Sequence, residues 1–510
     1  MNFLDHLDLS NIGSLLTYIP SEPMIFSTGI FFFLFVLFLL PYMAIKNTHL
    51  RIIYVALFSL FFYYKSSGWY VLLLLLSTTS DFIIGRKIAE EEDAGSRKNL
   101  LLLSVCINLG VLAYFKYFNM LGALLFALIN QLGFVVNKPS WILMEYKAWD
   151  IILPVGISFY TFQTMSYIID IYRKEIRPLE RWIDYVFYVS FFPQLVAGPI
   201  VRAKDFIPQI YKKPFLGRSE YAEALLLIIS GLLKKVMISD YISANFVDRV
   251  FDAPTLYTGF ENLMGIYGYA LQIYCDFSGY SDMAIGIALI LGFRFNINFD
   301  SPYQSASITE FWRRWHISLS SWLKDYLYIP LGGNRKGKVR TYVNLIITML
   351  LGGLWHGAAW RFVLWGAIHG VSLAAHKLWC VIFPSSSLSA DKLPLWRRVI
   401  GRLLTFHLVC FAWIFFRVEH MQDAKDMLLQ IKDAFHPEII WQFVEGYKTV
   451  IILMLLGYGV HFLGHKHLRM MQDVLSSTPF VLQVLLLAIV IFALLQMRSS
   501  DIQPFIYFQF

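Results

Sequence analysis

Two histidines lie in surroundings where an ionisable side chain is costly, and both are candidates for chemistry as well as for packing. His316 belongs to the motif FWRRWHIS, a dense cluster of aromatic and cationic residues. His356 lies deep in the apolar motif LLGGLWHGAAW. A histidine surrounded by lipid or packed helices needs a partner or a function. The stretch between them is long enough for a surface segment that then returns into the membrane, so we expect the two histidines to meet.

Acyl transfer from a thioester to a hydroxyl is the reaction that such a pair would suit. It needs a base for the hydroxyl proton and gains from a group that stabilises the oxyanion. Burial in a low dielectric favours the neutral imidazole, which can act as a base. We interpret His356 as that base and His316 as the group that orients the acceptor or stabilises charge. We interpret His369 and His376, at apolar helix positions, as structural. From these residues alone, an enzyme and a channel are equally supported.

Basic residues cluster around the first histidine and in the glycine-rich turn LGGNRKGK. The turn is not a Walker motif, because it lacks the GK[ST] ending. One interpretation is a solvated loop that sets membrane orientation. The other is a binding site for a phosphate-bearing donor such as acetyl-CoA. The candidate donor-binding residues are Arg313, Arg314, Lys324, Arg335 and Lys336.

Composition places the chain in the membrane. Of its 510 residues, 57% are hydrophobic and only 15% are charged, whereas soluble proteins carry roughly 25% charge. The net charge of +8 comes mostly from short loops between apolar runs, where it sets orientation, so we expect a lipid partner and no nucleic acid. The four cysteines form no CxxC pair, which argues against a metal site or a disulfide framework.

The apolar runs predict an all-α polytopic protein with about a dozen spanning or partly spanning helices. Residues 1–23 have no basic start and are predicted to be an interfacial extension rather than a signal peptide. Residues 24–510 are predicted to be a single transmembrane domain with its catalytic core at about 260–370. The charged segment Gly85–Asn99 is predicted to be a cytoplasmic connector.

Several apolar runs carry polar or helix-breaking residues. In Ile151–Tyr172 the small and polar residues are interpreted as helix–helix contacts. In Val186–Ile200 two prolines and a glycine interrupt the helix, which is tolerated only where backbone faces protein or water and therefore suggests a cavity. Asp276 and Asp282 are interpreted either as structural partners of Arg313 or Arg314 or as groups that orient a catalytic histidine.

The motifs, taken together and in order, resemble one family. They are LPVGISFYTFQTMSYIIDIYR, FFPQLVAGPIVR, CDFSGYSDMAIGIALILGF, FWRRWHISLSSWLKDYLYIPLGGNR, LLGGLWHGAAW and PFIYFQF. The chain resembles the membrane-bound O-acyltransferase superfamily from Met24 to Phe510, and within it the alginate and peptidoglycan O-acetyltransferase branch. The resemblance implies the MBOAT fold, with tilted helices around a central funnel. It implies that the intramembrane histidine is His356 and the second family position is His316, where distant eukaryotic relatives usually have Asn.

The resemblance also implies a pathway. Acetyl-CoA is expected as a cytoplasmic donor, with no permanently bound cofactor and no metal. The acetyl group is expected to pass across or into a bacterial inner membrane for O-acetylation of an extracytoplasmic polysaccharide, with an SGNH-type acetyltransferase or an acyl carrier as partner. Three alternatives stay open: D-alanyl transfer to a teichoic-acid-type acceptor, a non-catalytic acyl conduit for a periplasmic transferase, and a scaffold for an exopolysaccharide secretion complex.

Overall fold

The computed structural model describes most of the chain in two compact units, residues 1–214 and 215–510. The described residues are 16–20, 23–133, 153–196, 198–212, 216–384, 392–463 and 465–497. Within them, all regular structure is helical. Most of the predicted amino-terminal extension (1–15 and 21–22) and the terminal motif PFIYFQF lie outside the described residues.

The first unit is a set of helices with an aromatic interior. Its α-helices are α1 (Gly29–Ala44), α2 (Thr48–Ser67), α3 (Val71–Glu90), α4 (Ala94–Leu112), α5 (Phe118–Gln131), α6 (Ile157–Tyr172), α7 (Trp182–Ser190), α8 (Phe192–Leu195) and α9 (Ala203–Ile210). The predicted connector at 85–99 is wrong in extent: α3 runs on to Glu90 and α4 begins at Ala94, where Asp93 accepts a hydrogen bond from the Ser96 amide. The basic residues Arg86, Lys87, Arg97 and Lys98 therefore lie on helices, and only residues 91–93 separate the two.

Polar residues in the first unit join helices, as predicted for the run at 151–172. Thr164 of α6 donates a hydrogen bond to Asn108 of α4, at 3.0 Å. Asn108 and Ser104 in turn donate to the buried carboxylate of Asp81 on α3. The predicted interruption near Pro193 is also confirmed, since α7 ends at Ser190 before the single turn of α8.

The second unit is built around one long buried helix. Its α-helices are α10 (Arg218–Leu232), α11 (Asp248–Asp252), α12 (Gly259–Ile290), α13 (Ile308–Arg314), α14 (Ile317–Leu323), α15 (Lys338–His356), α16 (Trp360–Ile382), α17 (Leu395–Arg417), α18 (Met421–Asp433), α19 (Ile440–Gly446), α20 (Lys448–His461), α21 (His465–Ser477) and α22 (Phe480–Met497). Helix α12 begins with a capping box, in which Thr258 and Glu261 satisfy each other's free backbone amides. Of its 32 residues, 25 are buried.

Helices α15 and α16 approach each other closely because glycines face the neighbouring backbone. A Cβ atom on Gly353 would lie 2.2 Å from the carbonyl oxygen of Phe362, and one on Gly366 would lie 2.4 Å from that of Met349. Small residues at such contacts are typical of helix pairs in membranes. The pair turns back on itself between His356 and Trp360, which places His356 at the turn.

Three helical stretches among the described residues are long and apolar enough to cross a membrane: Thr48–Glu90, Ala94–Gln131 and Leu395–Arg417. Pro437–Gly446 and Lys448–His461 meet at a bend of 96° and together have the composition of a fourth. The prediction of an all-α polytopic protein is confirmed. The total of about a dozen helices, the funnel and the single-domain organisation stay predictions.

Candidate active site

His316 lies at a sharp junction between two short helices. Helix α13 ends at Arg314 and α14 begins at Ile317, and His316 between them has φ 43° and ψ 57°. This left-handed conformation is uncommon outside glycine, so the surrounding contacts must hold it. The side chain is completely buried, with 0% exposure.

Asn298 supplies the contacts that hold this junction. Its backbone carbonyl accepts from the Ile317 amide at 2.9 Å. Its side-chain Oδ1 accepts from the amide and the hydroxyl of Ser318, at 3.1 and 2.9 Å. The same Oδ1 lies 3.2 Å from Nδ1 of His316. An oxygen accepts only, so the hydrogen of this contact belongs to Nδ1, and Nε2 is the basic nitrogen of the neutral ring.

His356 is the last residue of α15 and lies among aromatic rings. Its side chain is 4% exposed. The ring centroids of Trp355, Trp365 and Phe416 lie 4.9, 5.0 and 5.1 Å from that of His356. We call His356 and these three rings the aromatic box. These rings shield the His356 imidazole from water.

Gly357 permits the turn that follows His356. A Cβ atom there would lie 2.0 Å from the Phe362 ring. Phe362 packs in turn against Phe416 of the aromatic box, with centroids 5.2 Å apart. A side chain at Gly357 would therefore displace the Phe362 ring, which packs against the aromatic box.

One indole, that of Trp355, has both histidines as neighbours, and whether they meet at one reaction site stays a prediction. The centroid of the Trp355 ring is 6.3 Å from that of His316 and 4.9 Å from that of His356. Phe277 of α12 covers His316 at 4.6 Å. The arrangement places a basic nitrogen in a dry, aromatic site with a second, hydrogen-bonded imidazole nearby. The roles of base and orienting group stay predictions.

The five candidate donor-binding cations fall into two groups. Arg313 and Arg314 lie on α13 ahead of His316, and Arg314 is already paired with Glu310 at 2.9 Å. Lys324, Arg335 and Lys336 follow His316. These three and Arg313 are exposed, and no ion pair joins any of the four to another described residue. The four are therefore the candidate cations available to an anionic ligand.

Asn344 ties the basic turn to α15. Its side-chain amide donates to the carbonyl of Gly333 at 3.0 Å and to that of Leu331 at 3.4 Å. The same helix ends at His356, ~18 Å further along its axis at the usual rise of an α-helix. One rigid element therefore connects the exposed cations to the buried imidazole.

The prediction that Asp276 and Asp282 pair with Arg313 or Arg314 is wrong. Asp276 accepts from Lys235 at 2.6 Å, and Asp282 accepts from Lys234, also at 2.6 Å. Lys235 also pairs with Asp240 at 2.7 Å. The lysines lie in a π-helical stretch that follows α10. Their pairing partners could not be assigned from sequence distance, because the contact depends on how α10 packs on α12.

Sequence reasoning missed the residues that shape the site. Asn298 organises the His316 junction, but a polar residue in a connecting segment carries no signal of that role in the sequence. Trp365 and Phe416 were not singled out, because aromatic residues at apolar helix positions carry no signal that separates a site wall from ordinary packing. The spacing of Trp365 and His369, one helical turn apart, was the one available hint.

Comparison of the sequence with known proteins identifies relatives of this chain. The sequence model of the membrane-bound O-acyltransferase family, MBOAT, matches residues 181–418, which include both histidines. The chain is 38% identical over 432 residues to the probable alginate O-acetylase AlgI of Pseudomonas putida, covering 80% of this chain and 84% of that protein. It is 31% identical over 472 residues to the peptidoglycan O-acetyltransferase of Helicobacter pylori, covering 83% and 85%. It is 31% identical over 278 residues to the teichoic acid D-alanyltransferase of Bacillus subtilis, covering 51% and 68%.

Proposed function

This chain belongs to the membrane-bound O-acyltransferase family and is a multi-pass membrane O-acyltransferase, and from that premise we propose that it moves an acetyl group from cytoplasmic acetyl-CoA to an extracytoplasmic polysaccharide acceptor. The observation that carries the proposal is the burial of His356 in the aromatic box, at the end of a helix that begins beside exposed cations. The base and its surroundings match what thioester acyl transfer needs.

His356 acts as the general base in the proposed reaction. A ring nitrogen takes the proton of the acceptor hydroxyl while the hydroxyl oxygen attacks the acyl carbonyl carbon. The tetrahedral intermediate then expels the thiolate of coenzyme A, and the imidazolium returns the proton to that sulfur. Exclusion of water by Trp355, Trp365 and Phe416 protects the thioester from hydrolysis.

His316 acts as the orienting group. Its Nδ1–H is engaged by Asn298, which leaves Nε2 as the face of the ring that accepts a hydrogen bond. A second hydroxyl of the acceptor that donates to Nε2 would orient the acceptor beside Trp355 and leave the attacking hydroxyl to His356. This role needs a hydrogen-bonding side chain rather than a strong base.

Lys324, Arg335 and Lys336 bind the phosphates of the donor. They are exposed, they lack competing carboxylates among the described residues, and Asn344 fixes the turn that carries two of them. With the phosphates held there, the extended pantetheine arm reaches along α15 towards His356. Arg314 contributes little to donor binding because it is paired with Glu310.

The names of the relatives support an acetyl group and a polysaccharide. The Pseudomonas putida protein is named as an alginate O-acetylase and the Helicobacter pylori protein as a peptidoglycan O-acetyltransferase. Polymers of this kind lie outside the cytoplasm, whereas acetyl-CoA is made inside it. We therefore place the protein in the bacterial inner membrane, where it hands the acetyl group to an SGNH-type acetyltransferase, to an acyl carrier, or directly to the polymer.

The test is the O-acetyl content of the cell-surface polysaccharide in cells that carry His356→Ala. We expect the acetyl groups to be lost while membrane levels of the protein stay at those of wild type. Wild-type acetyl content in well-expressed mutant cells would reject His356 as the base. Loss of D-alanine esters in place of acetyl esters would select the teichoic-acid alternative, which the shorter match to the Bacillus subtilis protein represents.

The conduit and scaffold alternatives make different predictions. A conduit would move labelled acetyl groups across a vesicle membrane yet cleave no thioester in purified form. A scaffold would tolerate His316→Ala and His356→Ala together, while deletion of surface loops would abolish acetylation. Thioester cleavage by the purified wild-type protein that depends on His356 excludes both.

A further inference from the structure

Two buried N–H groups lie beside the aromatic box without an acceptor. Trp365 and His369 occupy adjacent turns of α16, with side chains 1% and 0% exposed, and their ring centroids are 4.7 Å apart. Neither Nε1 of Trp365 nor Nε2 of His369 has a hydrogen-bond partner among the residues that the structure describes. Buried polar groups in native proteins are nearly always partnered, so two neighbouring exceptions call for an explanation.

The indole of Trp312 determines which nitrogen of His369 carries the hydrogen. Its Nε1–H donates to Nδ1 of His369 at 3.3 Å. An indole nitrogen can only donate, so Nδ1 must be the bare nitrogen of the neutral ring. The ring hydrogen therefore lies on Nε2. Trp365 and His369 thus present two donors, and the group that would satisfy them is an oxygen acceptor.

The position of these donors connects them with the reaction. The ring of Trp365 is a wall of the aromatic box, 5.0 Å from His356. Trp413 of α17 stacks on the other side of Trp365 at 5.8 Å, and Phe311 of α13 covers His369 at 6.2 Å. Aromatic rings thus surround the two donors, which therefore act in a low dielectric, where hydrogen bonds to a developing charge are strongest.

We propose that Nε1–H of Trp365 and Nε2–H of His369 bind the acyl carbonyl oxygen and stabilise the oxyanion formed on it. The inference rests on the proposed role of His356. When the acceptor oxygen bonds to the carbonyl carbon, the π electrons of the carbonyl move to its oxygen and the hydroxyl proton moves to His356. The two donors hold that oxygen until the carbonyl re-forms and the thiolate leaves with the proton. His369 is thereby a member of the site and not a packing histidine, and Trp312 positions it.

Single substitutions can remove a hydrogen-bond donor while keeping an aromatic ring in its place. Trp365→Phe removes one N–H and keeps an aromatic ring. His369→Phe removes its N–H together with the acceptor of the Trp312 indole, whereas His369→Gln keeps a donor near the position of Nε2. We expect each Phe variant to lower kcat by about 100-fold, as for the loss of one oxyanion donor. We expect KM for acetyl-CoA to change little and His369→Gln to recover part of the rate. Trp379→Phe, which removes an exposed indole from the same helix, is the matched control and should keep the wild-type rate.

A spectroscopic measurement tests the contact directly. In His356→Ala protein loaded with acetyl-CoA labelled with ¹³C at the carbonyl, the two donors should lower the infrared carbonyl frequency below that of free acetyl-CoA. Adding Trp365→Phe should move the band back towards the free value. Identical bands with and without the indole N–H, or wild-type kcat in both Phe variants, would overturn the inference. If His356→Ala alone kept its turnover, the proposed base would fail, whereas an inactive His356→Ala with fully active Phe variants would defeat only the oxyanion pair.

Discussion

The two histidines of the site are held in opposite ways. His316 is fixed by hydrogen bonds, on a strained backbone that Asn298 stabilises from two sides. His356 is surrounded by rings and lies at the regular end of a long helix. A side chain held by hydrogen bonds has a defined orientation and a committed nitrogen, which suits recognition. One in an aromatic box is shielded from water, which suits chemistry on a thioester. The two imidazoles beside Trp355 are therefore suited to different roles.

The largest effect should come from removing the base. His356→Ala in purified protein should lower acetyl transfer by about 10²- to 10⁴-fold, the usual contribution of a positioned general base. Turnover of a labelled acetyl-CoA by equal amounts of folded protein measures it. A loss smaller than ten-fold would show that His356 is not a general base and contributes no more than an orienting group does.

The next effect concerns the ion pairs that join α12 to the π-helical stretch after α10. Lys235→Ala should destabilise the second unit by about 3–5 kcal/mol, because it removes the buried cation shared by Asp276 and Asp240. Thermal unfolding in detergent measures it. Lys234→Ala is the matched control: Lys234 and its partner Asp282 are each 20% exposed in their side chains, so its cost should be clearly smaller. Equal losses would mean that burial of the pair is unimportant.

A smaller effect should follow from disturbing the helix pair behind the aromatic box. Gly353→Ala places a methyl group against the Phe362 carbonyl and should cost about 1–3 kcal/mol, as overpacking usually does. It should also lower activity, because α16 carries Trp365. Gly459→Ala is the control, since nothing lies within 4 Å of its added Cβ. If both glycine variants unfolded alike, close approach of α15 and α16 would not be what shapes the box.

The smallest effect should come from His316→Asn. Asparagine keeps a hydrogen-bonding group near Nδ1, so we expect a loss of only about ten-fold in turnover, the equivalent of one hydrogen bond. Steady-state kinetics should show most of the change in KM for the acceptor. A loss as large as that of His356→Ala would erase the contrast between the two histidines.

Much of the fold was predictable because apolar composition and helix breakers act locally. The interruption near Pro193 follows from the helix-breaking effect of proline. The long buried helix around Asp276 follows from a continuous apolar sequence. The connector at 85–99 was mispredicted because its charges were taken for a loop signal, although Glu, Lys and Arg are good helix formers. Local pattern could not show that α3 and α4 extend into that stretch.

The two histidines could be singled out from the sequence, but the residues that support them could not. His356 stands out because an ionisable residue in an apolar run is unusual, and His316 because it lies among aromatic and cationic residues. Asn298, Trp365 and the pairing of Lys235 with Asp276 depend on tertiary contacts between helices far apart in sequence. His369 was interpreted as structural because a histidine on an apolar helix face is ambiguous until the atoms around its two nitrogens are known.

The backbone at His316 also limits how this position can vary among relatives. A left-handed residue disfavours β-branched side chains and tolerates asparagine better than most others. A lineage that dispensed with the imidazole could thus change to asparagine without rebuilding the junction between α13 and α14. Substitution by valine or threonine would require the chain to find a new path there. The choice between histidine and asparagine at this position is then as much a matter of chain geometry as of catalysis.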